Sequence, residues 1–177
     1  GRGASSTDPS HWCEYGSAVE AASKSVTSKD GTLSLGVKKA YAGVGFVLGD
    51  GFAGVDLDDC RDPETGELES WAQQIVDGLA SYAEVSPSGT GVKVFLKGEL
   101  PEGVKGKRAK VVGANGTGAI ELYCQGRYFT VTGERLEGTP LEVVDADDAF
   151  KRLYYDYCTG DWTGSAEPPK ERCKRAL

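Results

Sequence analysis

The sequence predicts an α+β domain with a mainly antiparallel sheet flanked by helices. Short runs of strand-like alternation are joined by tight-turn residues, as at Gly49-Asp50-Gly51 and Cys124-Gln125-Gly126. Two longer stretches, 67–82 and 145–158, space their apolar residues at the helical period instead. The order of these elements is that of an α+β fold. The chain's 177 residues are enough for one domain with its own core, or for two small lobes sharing one.

Residues 1–12 are polar and rich in Gly and Ser, and read as a surface segment. Asp8-Pro9-Ser10, followed by Trp12 and Ala18-Val19-Glu20-Ala21-Ala22, predicts a capped helix over about 9–23. Residues 23–35 read as a loop with a turn at Lys29-Asp30-Gly31. Residues 44–48 and 52–57 flank the Gly-Asp-Gly turn and predict a hairpin. Pro63-Glu64-Thr65-Gly66 is a second turn. In the helix that follows, Leu68, Trp71, Ile75, Leu79 and Tyr82 fall on one face and belong to the core. Residues 90–96 alternate as a strand, and 119–123 with 128–131 predict a second hairpin. Residues 145–158 make a closing helix with Phe150, Leu153, Tyr154 and Tyr157 on its apolar side. From Thr159 the chain is polar and carries Pro168-Pro169, as a linker does. The domain is therefore drawn at 1–158, with an N-terminal lobe at 1–42, a sheet at 43–136 and the closing helix. Residues 159–177 are drawn as a linker. The opening Gly1-Arg2-Gly3 reads as a piece of a longer protein.

A formal charge of −7 argues against broad electrostatic binding of nucleic acid. The charges are uneven, however. Residues 104–110 read V-K-G-K-R-A-K, so Lys105, Lys107, Arg108 and Lys110 form a basic run, flanked by segments carrying Lys93, Lys97, Arg127 and Arg135. That run suits either a solvated Gly-rich loop or a cationic track on an acidic protein. The five cysteines are odd in number and include no C-x-x-C pair, and there is a single His. This argues against a Cys/His zinc site and fits free thiols in a reducing cytoplasm. No run approaches the length of a membrane span, and no signal-peptide pattern is visible.

Three motifs carry chemistry. The first is Gly54-Val55-Asp56-Leu57-Asp58-Asp59. Alternate strand residues share a face, so Asp56 and Asp58 project together while Leu57 points to a core. Two like charges about 6–7 Å apart along a strand repel, and a hard cation such as Mg²⁺ or Mn²⁺ relieves that. The same residues also suit a solvated acidic turn. The second motif is Ser86-Pro87-Ser88-Gly89-Thr90-Gly91-Val92-Lys93. Gly89 and Gly91 permit close backbone approach, neighbouring N–H groups suit an anion nest, and Ser86, Ser88 and Thr90 add hydroxyls. Lys93 follows as a point charge fitted to a phosphate. The spacing is not that of a Walker A loop, and such a segment also serves as a plain turn. The third motif is Ile120-Glu121-Leu122-Tyr123 with Gly126-Arg127-Tyr128-Phe129-Thr130-Val131-Thr132-Gly133. Glu121 faces away from Ile120 and Leu122. It suits either the polar face of an edge strand or the third carboxylate of a metal site. Arg127 suits a triphosphate or a surface ion pair.

Together, G-V-G-F-V-L…V-D-L-D-D, S-P-S-G-T-G-V-K and I-E-L-Y…G-R-Y-F-T-V-T-G resemble the three motifs of the archaeo-eukaryotic primase superfamily, and most of all its primase-polymerase branch from phage and plasmid replication proteins. The resemblance covers about 43–136, and A-S-S-T-D-P-S-H-W near the start is also similar to that branch. It implies a primase-like catalytic core with an RRM-like sheet in a cytoplasmic, phage- or plasmid-encoded protein. It implies Asp56, Asp58 and Glu121 as the catalytic residues and ligands of two Mg²⁺ or Mn²⁺ ions. Ser86, Ser88, Gly89, Gly91, Lys93 and Arg127 would bind the nucleotide, and Lys105, Lys107, Arg108 and Lys110 the DNA. The expected partners are a single-stranded DNA template with its primer, NTPs or dNTPs, and a C-terminal helicase region, with no membrane. The chain departs from the family in having Lys93 where motif II usually ends in His. Lysine stays cationic at neutral pH and lacks a ring-nitrogen donor. Two rival readings use the same residues: a nucleotide- or single-stranded-DNA-binding domain that does not polymerise, and a metal-dependent nuclease.

Overall fold

The computed structural model describes residue 5 and residues 7–23, 43–114 and 116–159. In chain order these form α1 (Tyr15–Ser23), β1 (Val44–Val47), β2 (Phe52–Asp58), α2 (Ser70–Leu79), β3 (Ala83–Val85), β4 (Val92–Lys97), β5 (Gly106–Gly113), β6 (Gly116–Tyr123), β7 (Tyr128–Val131) and α3 (Asp147–Cys158). Five strands make one sheet in the order β3-β4-β2-β6-β5, every neighbouring pair antiparallel. The α+β class with an antiparallel sheet is thus as expected. Among the described residues, no helix is long and apolar enough to cross a membrane.

Alternation along the strands divides the sheet into two faces. One face is apolar: Val55 and Leu57 of β2, Val92, Val94 and Leu96 of β4, and Ile120 and Leu122 of β6 are buried there. They pack with Ala72, Ile75, Val76 and Leu79 of α2 and with Phe150 of α3. Leu153, Tyr154 and Tyr157 join that layer, so the closing helix presents the face its period predicts. Gly118 and Gly113 sit under Trp71, where a Cβ would come within 2.7 Å and 2.8 Å of the indole. The opposite face carries a smaller cluster of Leu48, Phe95 and Phe129, and beyond it the charged residues described below.

Several expected elements are corrected. The helix expected over 9–23 is broken: a 3-10 turn, Pro9–His11, capped by Asp8, precedes α1. Neither expected hairpin forms. The Gly-Asp-Gly turn is present, with Asp50 at φ 51° and Gly51 at φ 83°. β1 nevertheless leaves the main sheet and pairs with β7 in a separate two-stranded sheet. The cause is competition for edges: β4 and β6 occupy both sides of β2, and β2 and β5 both sides of β6. The 104–110 stretch, read as a Gly-rich loop or a track, largely falls in edge strand β5. Tyr82 is not on α2, which ends at Leu79; it packs with the smaller cluster. The turn at 29–31 and the linker beyond residue 159 lie outside the described residues. Cys13, Cys60, Cys124 and Cys158 are free thiols.

Candidate active site

The register of the sheet gathers charge from all five strands into one row. Glu84 of β3 lies opposite Lys93 of β4, Lys93 opposite Asp56 of β2, Asp56 opposite Glu121 of β6, and Glu121 opposite Arg108 of β5. Asp58 stands two residues further along β2 and therefore on the same face. Asp56, Asp58, Lys93 and Glu121, chosen from three separate motifs, are thus brought together.

Lys93 Nζ lies 2.5 Å from Asp56 Oδ2, with both side chains largely buried. The same ammonium sits 5.0 Å from the centroid of the Phe129 ring. Phe129 can lie there because residue 54 is glycine: a Cβ on Gly54 would be 2.2 Å from the ring. Asp56 Oδ1 is buried and has no hydrogen-bond partner. Glu121 is fully engaged. Its Oε1 accepts from Arg108 Nε at 2.7 Å. Its Oε2 accepts from Tyr123 Oη at 2.8 Å and lies 3.4 Å from Arg127 Nη2. Arg108 also reaches toward Asp58, with Nη2 3.8 Å from Oδ2. Burial, reinforced by Asp56 and Glu121, raises the Asp58 carboxyl above the usual carboxylate range, against a smaller pull from Lys93 and Arg108. Burial and the bond to Glu121 likewise raise the Tyr123 hydroxyl.

The hydroxyl loop stands next to Asp58. Gly91 lets β4 begin tight against β2, since a Cβ there would be 2.6 Å from the Leu57 carbonyl oxygen. The Thr90 carbonyl accepts from the N–H groups of Cys60 and Arg61, which locks the loop to the chain leaving β2. Ser86, Ser88 and Thr90 form a chain of hydroxyl contacts at 2.9 and 3.0 Å. The anion nest expected here is corrected: the N–H groups of Gly89, Thr90 and Gly91 all donate to Ser86 or Ser88 within the loop. Side-chain hydroxyls, not those amides, are what the loop offers a ligand.

The basic run is also divided. Arg108 and Lys110 alternate onto the carboxylate face, while Lys107 lies opposite core residue Leu122 and points to the other side. Lys105 precedes β5 and is exposed. The four do not form one continuous track.

The sequence reading missed Glu84, which is 1% exposed. Its carboxylate accepts from Tyr82 Oη at 2.6 Å, the Thr132 N–H at 2.7 Å, Thr132 Oγ1 at 3.1 Å and the Gly133 N–H at 3.3 Å. It pins the end of the third motif to β3. The signal was the alternation of residues 82–85, which sets Tyr82 and Glu84 on one face.

Among the described residues, no three His, Cys, Asp or Glu side chains converge closely enough to form a ready-made cation site. The donor chemistry still fits a hard divalent ion. Two carboxylates share a face, one oxygen of Asp56 is buried without a partner, and like charges crowd Asp58. Lys93 and Arg108 stand where such an ion's charge would otherwise be needed.

Fold and site together define an α+β domain with an acidic centre set in one face of an antiparallel sheet. Over 140 residues the chain is 38% identical to a DNA primase-polymerase of Nitratiruptor phage NrS-1. The match takes in 78% of this chain, and the chain belongs to that primase-polymerase family. It spans 17% of the relative's length. No family model matches the chain.

Proposed function

We propose that this domain is the catalytic part of a template-dependent DNA primase/polymerase, transferring nucleotides from triphosphates to a 3′-hydroxyl in phage or plasmid replication. What supports this most is the placing of Asp56 and Asp58 beside Lys93 and the hydroxyl loop, on one sheet face, in a chain that matches a primase-polymerase. Two divalent ions, Mg²⁺ or Mn²⁺, held by Asp56, Asp58 and Glu121, would supply Lewis acidity at the transferred phosphoryl group. Lys93, Arg127 and the hydroxyls of Ser86 and Ser88 neutralise and orient the triphosphate. Gly89 and Gly91 keep the loop low enough for it to approach. Arg108 and Lys110 on the same face, with exposed Lys105 just before β5, attract the template backbone, so affinity falls as salt rises, while Lys107 points to the other side and takes no part. A helicase region elsewhere in the full-length protein is part of the same proposal.

The test is gel-resolved incorporation on single-stranded DNA, with and without primer, in Mg²⁺ or Mn²⁺. Asp56→Asn/Asp58→Asn should lower incorporation by more than about 100-fold while the protein stays folded. Equal incorporation by the double variant would refute the assignment. One observation favours a second reading, a nucleotide- or DNA-binding domain without polymerase activity: Glu121 is held by Arg108, Tyr123 and Arg127. That reading predicts triphosphate binding without product in either metal.

A further inference from the structure

We infer that Arg108 is a resident counter-ion of the carboxylate site, which a divalent cation must displace before it can engage Glu121 and Asp58. The inference rests on the metal-dependent reading above and assigns a residue that sets cation affinity.

Arg108 spans two of the three carboxylates. Its Nε donates to Glu121 Oε1 at 2.7 Å, and its Nη2 lies 3.8 Å from Asp58 Oδ2. A guanidinium and a metal ion cannot share the same carboxylate oxygen, so the two compete for one place and one charge. Of the two cations on this row, Arg108 is the one free to leave. Its side chain is 55% exposed, against 13% for Lys93. It stands on the sheet's edge strand, where a long side chain can swing into water without disturbing the core. Lys93 also has less need to move, because it takes only Oδ2 of Asp56 and leaves Oδ1 open. Departure of Arg108 would not set Glu121 adrift. Tyr123 and Arg127 hold Oε2, so the carboxylate stays oriented with Oε1 exposed. The pairing is therefore built to be exchanged on one oxygen and retained on the other. The other titratable side chains facing this pair are Asp56, Tyr123, Arg127 and Lys110; Arg127 is already committed to Oε2, Lys93 to Asp56, and Lys110 stands two residues further along β5, opposite Ala119.

The experiment is Mn²⁺ binding without nucleotide or DNA, read from the electron paramagnetic resonance signal of free Mn²⁺. The proteins are wild type, Arg108→Gln, Lys107→Gln and Asp56→Asn/Asp58→Asn. Losing one charge in contact with the site should tighten Mn²⁺ binding about fivefold in Arg108→Gln. Lys107→Gln removes the same charge one residue away on the opposite face, and should change affinity by less than about twofold. In parallel, the Arg108 Nε–H resonance, assigned by its loss in Arg108→Gln, should shift as Mg²⁺ is titrated into wild type. If Arg108→Gln binds Mn²⁺ as wild type does, while the double Asp variant does not bind, Arg108 is no competitor and the metal reading stands. If neither wild type nor Arg108→Gln binds Mn²⁺, both fall. An Nε–H signal unmoved at saturating Mg²⁺ overturns the proposal as well.

Discussion

Gly54→Ala tests the geometry beneath Lys93 directly. Gly54 is in an ordinary extended strand, so a methyl group there meets only a steric penalty. A Cβ would lie 2.2, 2.8 and 2.9 Å from three atoms of the Phe129 ring. The ring must retreat by about 1.2 Å to reach the 3.4 Å of ordinary contact. It has little room to do so. Phe129 is buried, Phe95 meets it edge-on with centroids 5.6 Å apart, and the Lys93 ammonium covers it. Overpacking of this kind costs about 1–3 kcal/mol. We expect about 2 kcal/mol, a fall in Tm of roughly 4–8 °C for a chain of this size. Urea denaturation should show a lower midpoint with an unchanged slope. The cause is checked in a Phe129→Ala background, where the ring is gone and Gly54→Ala should cost almost nothing. A control lies in α2. Nothing comes within 4 Å of a Cβ on Gly78, so Gly78→Ala should stabilise by about 0.5–1 kcal/mol through helix propensity and unfolded-chain entropy. Equal stability of Gly54→Ala and wild type, or an equal loss in both backgrounds, would show that the ring does not fill the space above Gly54.

Two more predictions concern titratable groups. The Asp58 carboxyl is raised above its ordinary 3.8 by burial and by Asp56 and Glu121, so the folded protein keeps that proton at pH values where the unfolded chain has lost it. Folding is then favoured below the raised value and penalised as pH climbs through it. Asp58→Asn should therefore melt higher than wild type at pH 7 in EDTA, and the gap should close as pH falls toward 3.8; a lower-melting variant at pH 7 would contradict this. Burial, aided by Asp58, pushes the Cys60 thiol up to about 12, whereas Cys13 is exposed. Iodoacetamide at pH 8 should label Cys13 and spare Cys60 until urea unfolds the chain, as peptide mass spectrometry will show.

The chemistry-bearing strands were legible because their pattern is local. The β2 run ends in alternating carboxylates, the Ser/Gly loop announces β4, and Ile120 and Leu122 frame Glu121. Pairing was not legible, because it depends on which edges are free. The Gly-Asp-Gly turn is real, yet β1 finds β2 already flanked and takes β7 instead. β5 escaped notice because Lys107, Arg108 and Lys110 put charge on both of its faces, which hides the period that Ala109 and Val111 keep on the core side. Glu84 was hidden by the shortness of β3, three residues that begin only four positions after α2 ends at Leu79. Its importance comes from donors at Thr132 and Gly133, far along the chain.

The five-strand row has a consequence for how this protein comes to be functional at all. Its members enter the chain in the order Asp56, Glu84, Lys93, Arg108, Glu121, and the first waits for the last before the row is complete. Glu84–Lys93 and Arg108–Glu121 join strands that follow one another in the chain, but the two links to Asp56 join β2 to strands far along it, the kind of pairing whose loop-closure entropy slows folding. No single hairpin of the sheet contains the acidic centre; it exists only when the β5–β6 pair has docked on β2 through β6. A nascent or clipped chain lacking β6 would expose a bare edge of β2 and hold no site, so competence arrives in one step, with closure of the sheet.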